Sequence, residues 1–152
     1  MQALEFDVRE ALDLYGPRRA IRDMATALDF PRSAGQELAI VVSELVSNIL
    51  KYGVRGSLRF EVVNSQQHGA GIQVVARDEG PPFYDLELAL RDGFDDRGPI
   101  DPGTLLKRGG LGTGMGAIVR MTDSFQVEPS VTGKEIRVVR YRQRPKGRAP
   151  AR

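Results

Sequence analysis

The apolar positions of this chain switch between a period of two and a period of three to four, and each switch marks a new element. Leu4-Glu5-Phe6-Asp7-Val8 alternates and predicts a short strand with one buried face. From about Glu10 to Leu28, the positions Ala11, Leu14, Ala20, Ile21, Met24, Ala25 and Leu28 recur at helical spacing. Gly16-Pro17 interrupts that run, so the helix proper is expected to start near Pro17, and Asp29-Phe30-Pro31 ends it. Ser33 reads as the N-cap of a second helix, with Gln36 completing a capping box. That helix is predicted from Ala34 to about Lys51, with Leu38, Val41, Val42, Leu45, Val46, Ile49 and Leu50 as a broad apolar face and Gly53 as a stop. Two alternating runs at 57–63 and 71–78 flank the polar segment 64–70, which predicts a hairpin with a generous loop.

Glu79-Gly80-Pro81-Pro82 breaks the second of these strands. Residues 83–108 hold a short helical pattern at Leu86–Arg91 and a turn-rich tract at Gly93–Pro99. A connection of that length inside a compact domain is usually functional, often a lid. A helix over Thr113–Thr122 follows, then a strand at Ser124–Glu128, a turn at Pro129–Gly133 and a last strand at Lys134–Tyr141, with Ile136 and Val138 on one face. The order β, α, α, β, β, loop, α, β, β does not alternate strictly. It predicts an α/β (α+β) sandwich of two layers, a mixed and mostly antiparallel sheet with helices on one face, rather than a parallel doubly wound sheet.

A chain of 152 residues is one domain by its length, and 41% hydrophobic with 28% charged residues is a globular composition. No apolar run reaches the ~18 residues of a membrane span, and the N-terminus lacks the regions of a signal peptide. The absence of cysteine removes disulfides, thiol nucleophiles and zinc-thiolate sites. A cytoplasmic protein is expected. The net charge of +2 conceals a division: residues 140–152 carry six basic and no acidic side chains, and the remainder holds 16 basic against 20 acidic. The expected boundary lies at 141, with 142–152 a basic, disordered tail. The acidic body gives no reason to expect a nucleic-acid partner.

The candidate chemistry starts from Gly109-Gly110-Leu111-Gly112-Thr113-Gly114-Met115-Gly116, five glycines in eight residues running into a helix. Backbone free of Cβ lets N–H groups approach a ligand, and a helix start adds unpaired donors and partial positive charge. The segment is an anion cradle, phosphate being the usual anion, or a flexible loop. On the second helix Glu44 and Asn48 share a face. They form either a polar seam between helices or a Mg²⁺ site, with Asn48 the neutral oxygen ligand and Glu44 left to orient or deprotonate a nucleophile. Lys51 can lie along phosphates or snorkel to solvent. Tyr52 can pack on a base or ribose, or cover the helix end. Asp78, at a strand end before Gly80, can accept from an exocyclic amine or serve as an Asx-turn residue.

In this order the motifs resemble the ATP-binding Bergerat fold of the GHKL superfamily, shared by gyrase, MutL, histidine kinases and a class of chaperones. Glu44 through Tyr52 is similar to its N box, Asp78-Glu79-Gly80-Pro81-Pro82-Phe83 to its first glycine box, and Gly110 through Gly116 to its second. The resemblance implies ATP and Mg²⁺ as cofactors. Asn48 would hold the metal and Glu44 would be the catalytic base. Lys51 would contact phosphate and Tyr52 would line the pocket. Asp78 would accept from the adenine amine, Gly80 would admit the base, and Gly112, Thr113, Gly114 and Gly116 would wrap the phosphates. Lys107 and Arg108 precede the loop and reach the γ-phosphate or are solvated lid charges. Pro82 replaces a second glycine of the first box, which implies a stiffer hinge and weaker nucleotide binding.

The single histidine, His68, falls in the hairpin loop, where a solvated turn residue is expected, so the phosphoacceptor helix of a histidine kinase is missing. At this length the further domains of gyrase or MutL are not expected. It looks like the small stand-alone serine/threonine kinases that regulate sigma factors by partner switching, and Leu86 through Phe94 and Gly110 through Phe125 resemble the stress-signalling branch. The implied partners are a STAS-domain antagonist, which is phosphorylated, and a PP2C-type phosphatase or a sigma factor. Pairing of related kinases through their first strand and helix adds a homodimer. An anti-sigma factor acting by direct binding, and a non-catalytic module retaining nucleotide, are the competing implications.

Overall fold

The computed structural model describes residues 1–52, 55–80 and 114–145, together with the short backbone segments 94–95 and 98–99. Strand β1 (Leu4–Val8) leads through a 3₁₀ turn (Ala11–Leu14) into α1 (Tyr15–Ala27) and α2 (Arg32–Tyr52). Strands β2 (Gly56–Ser65) and β3 (Gly69–Asp78) form the hairpin. The segments β4 (Phe94–Asp95) and β5 (Gly98–Pro99) pair with each other, and α3 (Met115–Arg120), β6 (Ser124–Pro129) and β7 (Lys134–Tyr141) complete the described chain. The main sheet has the order β1-β2-β3-β7-β6, and each of its pairings is antiparallel. The expected two-layer α/β arrangement is present.

Alternation decides which face of the sheet meets the helices. Leu58 and Phe60 on β2, Ile72, Val74 and Ala76 on β3, and Ile136 and Val138 on β7 are buried in one core with Ile21, Leu38, Val42 and Leu45 of α1 and α2. The opposite face carries ion pairs: Arg59 with Glu5 and Glu61, and Glu135 with Arg77 and Arg137.

Several boundaries differ from the sequence expectation. α1 starts at Tyr15, so Pro17 falls within its first turn, where a missing N–H costs nothing. α1 ends in a Schellman arrangement: Asp29 takes φ 58°, the Phe30 N–H reaches Ala25 O at 2.9 Å and the Asp29 N–H reaches Thr26 O at 3.1 Å. The chain therefore turns straight into α2, which begins at Arg32 with Pro31 O accepting from the Ala34 N–H at 3.0 Å. Ser33 lies inside the helix and is not its N-cap, because the backbone carbonyl of Pro31 already opens the first turn. The hairpin loop is shorter than expected. Ser65 pairs with Gly69 and its hydroxyl accepts from the Gln67 and His68 N–H groups, while Gly69 supplies φ 72°. The His68 ring rests against Tyr141, with centroids 5.2 Å apart. The predicted helix at 86–91 lies outside the described residues.

The basic C-terminal segment starts as part of the body rather than as a loose tail. Arg142 N–H extends the sheet to Ala70 O at 2.9 Å, and Arg144 bonds Asp123 at 2.8 Å. Residues 146–152 lie outside the described residues.

Candidate functional site

Helix α2 is the central element of the helical layer, packed by α1, by α3 and by the sheet. Its run of apolar residues therefore has neighbours on more than one side, and polar groups on it are forced into the interior. Ser43 resolves this locally, donating to Ala39 O at 2.9 Å. Glu44 and Asn48 are buried at 1% and 4% exposure, so each needs polar company. The Asn48 amide donates to the Met115 sulfur at 2.9 Å. A thioether is a weak acceptor. The contact still orients the amide, setting its NH₂ toward α3 and leaving its carbonyl oxygen as the remaining polar atom. That oxygen is the hard, neutral donor a Mg²⁺ ion takes, and such an ion commonly needs few protein groups beside phosphates and water. No cluster of three or more His, Cys, Asp or Glu side chains is present among the described residues.

Asp78 closes β3 on the helix-facing side. Its Oδ1 accepts the Gly80 N–H at 2.8 Å and the Lys134 ammonium at 2.9 Å, and all of this is buried. Lys134 is the direct cross-strand partner of Asp78 on β7. The turn before it packs without clearance: a Cβ on Gly133 would stand 1.9 Å from Asp78 O. Gly133 is thus the residue that lets the β6–β7 turn close on the end of β3 and brings the lysine to the carboxylate.

The third motif arrives at the same place. Gly114 adopts φ 68°, ψ −149°, a conformation essentially restricted to glycine, immediately before α3. Met115, Gly116, Ala117 and Ile118 are buried. Asn48 ties the start of α3 to α2. One residue on, Ile49 packs against the bare Cα of Gly56, which pairs with Asp78. The end of α2 is therefore in contact with the start of α3 on one side, and on the other with the strand that carries the cross-strand neighbour of Asp78. Three motifs far apart in sequence converge on one corner of the sandwich.

The sequence pattern of the histidine kinase-like ATPase domain matches residues 9–140. The chain belongs to that family. It is 28% identical over 131 residues to the serine/threonine-protein kinase RsbT of Bacillus subtilis (strain 168), an alignment covering 85% of this chain and 89% of the relative. An ATPase domain implies the use of ATP, and the family and this relative together point to kinase or ATPase activity. No described helix is long and apolar enough to cross a membrane.

Within this ATPase domain the described candidates fall into two groups. Glu44, Asn48, Asp78, Gly80, Gly114 and Gly116 are buried at or beside the corner. Lys51, near the end of α2, is exposed. The Tyr52 side chain, Lys107, Arg108, Gly110, Gly112, Thr113 and Pro82 lie outside the described residues. Lys134 is the residue that motif reading missed. Its signal was parity: it shares the inward face of β7 with Ile136 and Val138, and a charge on an apolar face needs an opposite charge across the strand.

Proposed function

We propose that this chain is an ATP-dependent serine/threonine protein kinase that works by partner switching, phosphorylating a STAS-domain antagonist and thereby controlling a PP2C-type phosphatase or a sigma factor. The observation that carries this reading is the junction of α2 with α3. It sets a buried carboxylate, Glu44, one helical turn from a metal-competent amide, Asn48, at the start of the helix that the glycine segment leads into. The similarity to a serine/threonine kinase over most of both chains supports the choice of a protein hydroxyl as acceptor.

The residues divide the work. Asn48 would offer its amide oxygen to a Mg²⁺ ion, which would neutralise phosphate charge. Gly114, freed of Cβ, lets the backbone approach the phosphates. Asp78 and Gly80 receive the base. Glu44 takes the proton of the attacking hydroxyl, and the γ-phosphoryl group passes in line from ATP to that oxygen.

Calorimetry with ATP and Mg²⁺, beside transfer of labelled phosphate to STAS-domain proteins, tests the assignment. Glu44→Ala should keep nucleotide binding and lose about 10²–10⁴-fold in transfer rate, the usual worth of a general base. Asn48→Ala should instead remove the Mg²⁺ dependence of binding. Transfer by Glu44→Ala at the wild-type rate refutes the base assignment. Nucleotide binding with no transfer to any STAS protein, joined to tight binding of a sigma factor, gives the direct anti-sigma role in its place.

A further inference from the structure

We propose that Met115 is a positioning residue for Asn48: its sulfur fixes which end of the Asn48 amide is left for a cation, and so ties the metal ligand to the helix that the glycine segment leads into. The inference rests on the assignment of Mg²⁺ to Asn48 above and names the group that holds the amide. The Asn48 nitrogen donates to the Met115 sulfur at 2.9 Å, with Asn48 4% and Met115 2% exposed. A carboxamide has two ends of nearly equal size and opposite chemistry, N–H donors on one and a carbonyl acceptor on the other. Only the carbonyl end binds a hard cation. A half-turn about the last side-chain bond exchanges the ends, and that torsion has two nearly equivalent wells. Packing by shape alone therefore does not choose between them.

The sulfur does choose. It accepts weakly from an N–H and offers nothing to a carbonyl oxygen, whose lone pairs would meet its own. Turning the amide over gives up the hydrogen bond and sets N–H groups where the cation needs an oxygen. A leucine would fill much the same volume and leave both orientations open. The sulfur is itself held in place. Met115 follows Gly114, whose φ of 68° and ψ of −149° set the direction in which α3 departs. Gly116, Ala117 and Ile118 behind it are buried. Where α3 ends, Arg140 of β7, only 6% exposed, donates to Met121 O at 2.8 Å. With α3 fixed at both ends, the sulfur at its first residue is a fixed reference for the amide on α2.

The test is calorimetric titration of the full chain with ATP, in Mg²⁺ and in EDTA. Met115→Leu should reduce the tightening that Mg²⁺ gives by about three- to ten-fold, the worth of one neutral hydrogen bond. Affinity in EDTA should stay within about two-fold of wild type. Norleucine incorporated in place of methionine swaps sulfur for a methylene and keeps the shape. It should reproduce the loss, whereas selenomethionine, which keeps a soft acceptor, should not. Equal losses with and without Mg²⁺ would assign Met115 to packing. A tightening unchanged in Met115→Leu and in the norleucine protein would remove the sulfur from the site. Either result overturns the proposal, and the norleucine arm decides it even if Met115→Leu does not fold. Tightening that Asn48→Ala abolishes and Met115→Leu spares sinks this inference alone. A wild-type ATP affinity indifferent to Mg²⁺ sinks the metal assignment with it.

Discussion

Asp78 and Lys134 face each other across β3 and β7, and so do their neighbours Arg77 and Glu135, one residue along and on the opposite side of the sheet. The chemistry is the same, one acid and one base at one register position. The surroundings are not. The first pair is 3% and 2% exposed beneath the helical layer. In the second, Arg77 is 60% exposed, and Glu135 is shared with Arg137 at 2.9 Å. On the open face, Arg77 keeps most of its hydration, Glu135 at 13% exposure is held between two arginines, and the pair with Arg77 is worth little. In the core, both charges lose their water, and their mutual attraction does little more than offset that loss. An apolar pair would fill the corner as well, so stability alone does not account for the buried pair.

The largest expected effect separates the two pairs directly. Lys134→Met should cost about 3–5 kcal/mol in urea denaturation, because it strands the Asp78 carboxylate in the core. The double variant Asp78→Leu with Lys134→Met should recover most of that loss and still fail to bind nucleotide. Recovery of stability together with binding would show that the pair serves packing alone. Gly133→Ala comes next. Its new methyl meets the Asp78 carbonyl at 1.9 Å, and the forced shift should cost about 1–3 kcal/mol and disturb both strand ends.

Glu135→Gln should change stability by about 0–1 kcal/mol at neutral pH. Arg77 first, and then Arg137, hold the Glu135 carboxyl below its ordinary value of 4.5. A carboxyl lowered on folding stabilises the protein above its unfolded value, and that contribution is lost as pH falls through the folded one. The small advantage of wild type over Glu135→Gln should therefore be present at pH 7 and disappear below the ordinary glutamate range. An advantage that grew toward acid would contradict the assignment.

Much of this was legible in the sequence, for identifiable reasons. The runs at 4–8 and 134–141 mark their strands to the residue, because Phe6 and Val8 on β1 and Ile136 and Val138 on β7 recur at period two against the core. The Glu44–Asn48 pair stood out because polar residues are conspicuous on an apolar helix. Ser33 misled because capping preference is a local signal, and the Schellman turn at Asp29 had already fixed where the chain re-enters a helix. Lys134 was hidden for a different reason. Alternation gives its face, but only the strand register, a non-local property, names Asp78 as its partner.

Arg144 gives the C-terminal segment a meaning for anyone who shortens this chain. Its guanidinium donates to Arg120 O at 2.9 Å and Thr122 O at 3.0 Å, and its Nε to Asp123 at 2.8 Å. Asp123 in turn receives the Tyr141 N–H at 2.8 Å. The carbonyls at the end of α3 are thus closed by a residue beyond the last strand, much as a clasp closes a strap. A truncation placed after Tyr141, where the strand pattern ends, would leave those carbonyls open and loosen from behind the short helix whose front carries Gly114, Met115 and Gly116. A C-terminal cut that keeps this closure falls beyond Arg144.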